Sequence, residues 1–338
     1  MAMEKQPRFG NKEVSLSFPR KSSSVIAPEE PISPSKFGWL PIDTQPKELQ
    51  DKFNAKLVPF QIAGPSPDLK ESLLYKVVNK AAGYEFFPWD QKTGSCVGQG
   101  ALAVMATLQA VEIITQRQTF EEWRLPFILY NYGQSRKRGG LNGEGEGSFG
   151  SSMAESLNED GCPPIDPSYP QPVCQQDGSW TFGAKAEMSW SNGNKPPMDL
   201  SDTAKRFKVQ STSRLKNSEQ VKQALANGYP VTIASSWWGF SDLRVKASGT
   251  PSVQLATRNE SWGHQQSCLG FIVHPEFGLI FLIQNSWGNA HGTPPGNFGE
   301  PKGSYWIKAK DMDRICAEEV FSFSNFDGYP ARTIDWSI

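Results

Sequence analysis

The chain has 338 residues, a 38% apolar share and a formal net charge of -1, enough for one large domain or two lobes around a packed core. A near-neutral balance gives no long-range pull toward nucleic acid or an anionic membrane, and the one dense basic patch, residues 136–138, adjoins a glycine-rich loop and reads as a solvated face. The opening residues carry charge without the apolar centre of a signal peptide, no later stretch reads as able to cross a bilayer, and five scattered cysteines without a CxxC pair suggest free thiols rather than a disulfide framework or a zinc site.

Residues 1–36, with KSSSVIAPEEPISPSK at their end, are rich in Ser, Pro, Lys and Glu and lack apolar periodicity, so they read as an extended or disordered arm. Residues 37–84 form an extension packing on the core, with helical candidates in PKELQDKFNAKL and DLKESLLYKVVNKAAG. From 85 to 205 the text is helix-rich. Val97, Ala101, Val104, Met105, Leu108 and Val111 recur at the three-and-four spacing of a buried stripe. FEEWRLPFILYNYGQSRK predicts a helix broken near Pro126, and SSMAESLNEDG a third opened by Ser and closed by Gly161.

From 206 to 338 the pattern changes to strands: FKVQST, YPVTIASSWW, SCLGFIV, GLIFLIQ, GSYWIKA and VFSFSNF, with one helix in SEQVKQALANG. A helical half followed by a strand-rich half predicts an α+β protein of two lobes with a cleft at their junction.

Cys96 falls at the first turn of the long helix, among Gly94, Gly98 and Gly100, where exposed N–H groups and the positive end of the helix favour a thiolate. Taken alone it is better explained as a small buried residue, which is what most isolated cysteines are. SCLGFIV and GLIFLIQ flank the turn HPEFG and predict a hairpin, which brings His264, before the first strand, beside Asn285, closing the second. An asparagine carbonyl accepting from one imidazole nitrogen aims the other at a thiol, the logic of an oriented base. A histidine tied in by local bonds and a strand-end asparagine cap are the plainer alternatives. His274, in the turn, and His291, in a Gly/Pro-rich loop, read as surface residues.

These residues resemble the papain-like cysteine peptidases. QNSWG at 284–288 is similar to their Asn-Ser-Trp-Gly motif, GSCVGQGA at 94–101 to the active-site turn, and GHQQSCLGF at 263–271 to the histidine segment. YPVTIA, GSYWIKA and GSSMAESLNEDGCPPIDPSYP extend the likeness over about 85–315, in the order Cys, His, Asn.

The resemblance implies a papain-like fold, with a helical lobe and an antiparallel, β-barrel-like lobe. It also implies hydrolysis of a polypeptide through a thioester acyl-enzyme, without a cofactor. Cys96 would be the nucleophile, His264 the base and Asn285 its orienter. Trp287 would shield the Asn–His bond, and Gln91 would join the Cys96 N–H at the oxyanion.

Gln91 stands five residues before the cysteine where the family has six, and Val97 replaces the usual aromatic. Together with the absence of a family-type pro-segment, such departures suggest an outlying bacterial or phage-type member, cytoplasmic or particle-associated. A structural component of an assembly, bound through the arm, is the alternative reading, and a peptidoglycan amidase a third. The glycine-rich loop GGLNGEGEGSFG could equally pair with an extended substrate or be a surface loop.

Overall fold

A computed structural model describes residues 37–83, 89–115, 123–236, 248–258, 263–289 and 296–334, all within one compact unit spanning residues 31–338. The N-terminal arm and His291 lie outside the described residues.

The extension holds α1 (Lys47–Asn54), β1 (Ile62–Ala63), β2 (Glu71–Leu73) and α2 (Leu74–Ala82). The helical reading of DLKESLL is corrected here: Glu71–Leu73 pair antiparallel with residues 270–272 before the chain turns helical. The helical lobe holds α3 (Cys96–Thr115), α4 (Ile128–Arg138), α5 (Gly150–Glu159) and α6 (Ala184–Trp190), with the small hairpin β3 (Val173–Cys174) and β4 (Trp180–Thr181) before α6. A short α7 (Ser201–Ala204) closes it. Pro126 does not break a helix; α4 begins two residues beyond it, where the ring no longer removes an intrahelical bond.

The second lobe is built from β5 (Ser211–Arg214), α8 (Ser218–Ala226), β6 (Val231–Ser235), β7 (His264–His274), β8 (Gly278–Gln284), β9 (Ser304–Lys308), α9 (Ala309–Ile315), β10 (Glu319–Ser324) and β11 (Tyr329–Pro330). Its sheet runs β5-β10-β6-β7-β8-β9, antiparallel throughout, with β2 taking over from β6 along the far half of β7.

The fold is α+β and two-lobed as expected, but the sheet is open rather than barrel-like. Its end strands do not pair with each other. Val58 donates to Thr212 O at the β5 edge, and Gln254 and Ala256 bond Trp306 at the β9 edge, so both edges are satisfied by chain segments.

Central helix α3 is buried on nearly every side, although by length and composition it would pass for a membrane span, contrary to the sequence reading. Small residues permit this burial. A Cβ at Gly98 would meet Tyr132 of α4 at 3.3 Å, and one at Gly100 would meet the backbone of Gln266 on β7 at 3.2 Å. The N-terminal end of α3 is thereby pressed against the beginning of β7.

Candidate active site

Ser95 O accepts the N–H groups of Gly98 and Gln99, so the helix begins at Cys96, the expected position. The hairpin expectation also holds: β7 and β8 pair from Ser267↔Gln284 to His274↔Gly278. His264 and Asn285 therefore share one end. His264 Nε2 lies 2.8 Å from Asn285 Oδ1, and the same oxygen accepts the Ser286 N–H at 2.8 Å. An amide oxygen accepts, so the neutral ring carries its proton on Nε2 and its lone pair on Nδ1. The Trp287 ring stacks on the imidazole, centroids 4.5 Å apart.

Two further strips join the lobes. Gln91 N–H donates to Ser286 O and Gly288 N–H to Trp89 O, tying the nucleophile turn to the asparagine motif. Gln91 is held in this seam: its Oε1 accepts from Ser286 Oγ at 2.6 Å and its Nε2 donates to Thr93 O at 2.9 Å. Gln265, next to His264, donates from Nε2 to Val97 O at 3.0 Å, locking β7 to the first turn of α3. Gln265 is thus a lobe-to-lobe clasp, whereas Gln266 and Ser267 bond Tyr305 and Gln284 within their own sheet.

Cys96 is fully buried, at 0% exposure. Burial pushes its thiol up from 9.0 to about 11, although backbone N–H groups of Gln265, Gly38, Val97 and Trp39 oppose the shift. The acidified sulfur expected at a helix N-terminus is therefore not found in this state; desolvation outweighs the helix end.

Part of the cover is the chain's own residues 37–40. Leu40 N–H donates to Ser148 O and Ser148 N–H to Gly38 O, with Trp39 and Ser148 paired parallel. Gly38 lies so close to the turn that a Cβ on it would stand 1.7 Å from Gly94 O. The Trp39 indole donates to Glu319 at 2.6 Å, and Phe37 meets Trp287 edge-on. The glycine-rich loop does pair with an extended segment, and that segment belongs to this chain.

Glu319 was not singled out in the sequence. It is buried, burial raises its pKa, and it accepts from Trp39 and from the first amides of α5, Gly150 and Ser151. Glu187 was missed for the same reason: its partners are remote in the chain.

His274 is corrected: it is buried rather than a surface residue, bonded to Pro251 O through Nε2 and accepting the Glu276 N–H at Nδ1. All five cysteines are free. Among the described residues no group of His, Cys, Asp or Glu is arranged to hold a metal ion.

The fold is that of the papain-like cysteine proteases. Xylellain, a cysteine protease from Xylella fastidiosa, superposes with a TM-score of 0.51 at 19% identity, over 86% of this chain and 97% of its own. Digestive procathepsin L 3 of the Tenebrio molitor larval midgut gives a TM-score of 0.50 at 13% identity, over 80% of this chain and 74% of its own. No family profile matches the sequence, and no curated protein matches it.

Proposed function

We propose that the chain is a cysteine peptidase whose cleft is covered by its own residues 37–40. The observation that carries this reading is the His264–Asn285 bond under the Trp287 ring, at the mouth of a helix that begins on Cys96. In the open state His264 Nδ1 takes the Cys96 proton, and the thiolate attacks a peptide carbonyl carbon. The oxyanion draws on the Cys96 N–H and on the Gln91 amide, which it shares with Thr93 O. His264 then protonates the leaving amine as the C–N bond breaks, leaving a thioester on Cys96. A water deprotonated by the same nitrogen hydrolyses that thioester, releasing the carboxylic acid and restoring the thiol.

We read the departures at Gln91 and at Val97 as those of an outlying member, and the arm as a candidate docking segment for an assembly. Full coverage of Cys96 supports a second reading, a scaffold without turnover. Incubating the full chain and Cys96→Ala with a denatured protein separates the two. Cleavage by the first alone is the expected result, whereas equal cleavage by both removes Cys96 from the chemistry.

A further inference from the structure

Glu187, on α6, is a buried acid beside the nucleophile that the proposed hydrolysis does not use. Its Oε2 accepts Thr93 N–H at 2.9 Å, Thr93 Oγ1–H at 2.7 Å and Ser95 Oγ–H at 2.8 Å, and Lys92 N–H reaches both of its oxygens at 3.1 Å. All these donors lie between Gln91 and Cys96. An ionised carboxylate accepts every one of them; a protonated one turns an O–H toward a cradle made of donors.

The ionisable groups around the cradle are Asp90, Lys92 and Cys96 on the turn, Tyr132 and Arg136 on α4, Glu146 in the loop before α5, and Lys185 on α6 itself. Lys92 Nζ is engaged by Asp90 at 2.5 Å and Gln175 at 2.7 Å. The Arg136 guanidinium bonds the carbonyls of Ser191, Glu146 and Gly147. Glu146 accepts from Gly94 N–H at 3.1 Å, Tyr132 feels the Glu187 charge, and Lys185 is exposed. The turn is therefore held to α6 by Glu187 through hydrogen bonds, with Lys92 and Arg136 engaged by other groups.

We propose that Glu187 is a positioning residue that makes the nucleophile turn respond to pH: ionised, it clamps residues 92–95 and so sets Gln91 and Cys96; protonated, it releases that turn in a local opening that leaves the carboxyl itself buried, distinct from the global unfolding that hydrates it. The inference rests on the peptidase reading for its catalytic consequence but not for its structural one. Burial lifts the Glu187 pKa from 4.5 to about 7, against the opposing bonds from Thr93, Lys92 and Ser95, which sets the transition in the neutral range.

Hydrogen exchange of the amides in residues 91–96, corrected for intrinsic rate, tests this on the full chain at pH 6 and pH 8. Protection in the wild type should be about tenfold lower at pH 6, as for a single group titrating between them. Glu187→Gln keeps an acceptor for Thr93 and Ser95 but cannot ionise; it should be pH-independent at the wild type's pH 6 level.

Thr93→Val, which removes one donor, should shift the wild-type transition to higher pH, and stands in if the Gln variant does not fold. In peptide cleavage, kcat should follow the same pH limb while KM does not. Equal protection at both pH values in the wild type, or an unchanged pH response in Glu187→Gln or Thr93→Val, overturns the proposal. Neither exchange result depends on turnover, so loss of the peptidase reading, decided at Cys96, would be seen separately.

Discussion

Asn285 spends one oxygen on two donors, the His264 ring and its own following amide. That double use fixes both the tautomer and the tilt of the base. Asn285→Ala leaves the imidazole stacked on Trp287 without this acceptor at Nε2, and kcat should fall about 10²-fold or more with a smaller change in KM; an unaltered kcat would deny the orienting role. Gln91→Ala should cost about 10²-fold in kcat if its amide serves the oxyanion, and little if its task is only to bind Ser286 and Thr93.

At this scale the position of Cys96 at a helix start and the meeting of His264 with Asn285 were legible, because a helix start and a hairpin follow from local pattern alone. Glu187 and Glu319 were not. Their donors stand 94 and 168 residues away, at Thr93 and Ser151, and meet them only after the lobes assemble. His274 misled because its burial comes from a distant cover: its ring bonds Pro251 O and stacks on Phe277.

Among the elements, the extended segment 37–40 decides whether the site can work. Burying the Trp39 ring contributes about 2–3 kcal/mol toward the covered state, against the entropy of ordering the segment. Gly38→Val places side-chain atoms where Gly94 O stands, so the segment and the nucleophile turn must part. Iodoacetamide should then label Cys96 at a rate approaching that of exposed Cys174, whereas in the wild type only Cys174 reacts quickly; a Cys96 still silent in the variant would mean that other groups cover it. Glu319→Ala should destabilise the protein by about 1–3 kcal/mol, seen in urea unfolding, because it strips the acceptor from Trp39 and from the start of α5.

Long periodic elements such as α3 and the β7–β8 hairpin were readable, since one pattern ran through each. β2 was read as helix because its three residues become a strand only through the neighbouring edge of β7. Short α6 and α9 carried too few turns to show a period.

For the whole molecule, the two-lobed α+β plan followed from the order of helices and strands, while the open sheet did not, because closure depends on which segments reach the edge strands. Buried Glu187 also shapes the global pH response. Its folded pKa is raised, so its contribution to stability is full below 4.5 and is lost as pH rises through about 7. Thermal midpoints should therefore show a downward step across that range in the wild type and not in Glu187→Gln.

Activity needs the ionised form, so stability and turnover should move in opposite directions there. The same sign applies to Cys96 at alkaline pH in the covered state, between 9.0 and about 11. The decisive measurement is digestion of a denatured protein by Gly38→Val beside Gly38→Val/Cys96→Ala. Cleavage by the uncovered chain that vanishes with the sulfur is expected; cleavage that persists without Cys96, or none at all by unlabelled Gly38→Val whose Cys96 a parallel iodoacetamide reaction shows to be accessible, would contradict a cysteine peptidase.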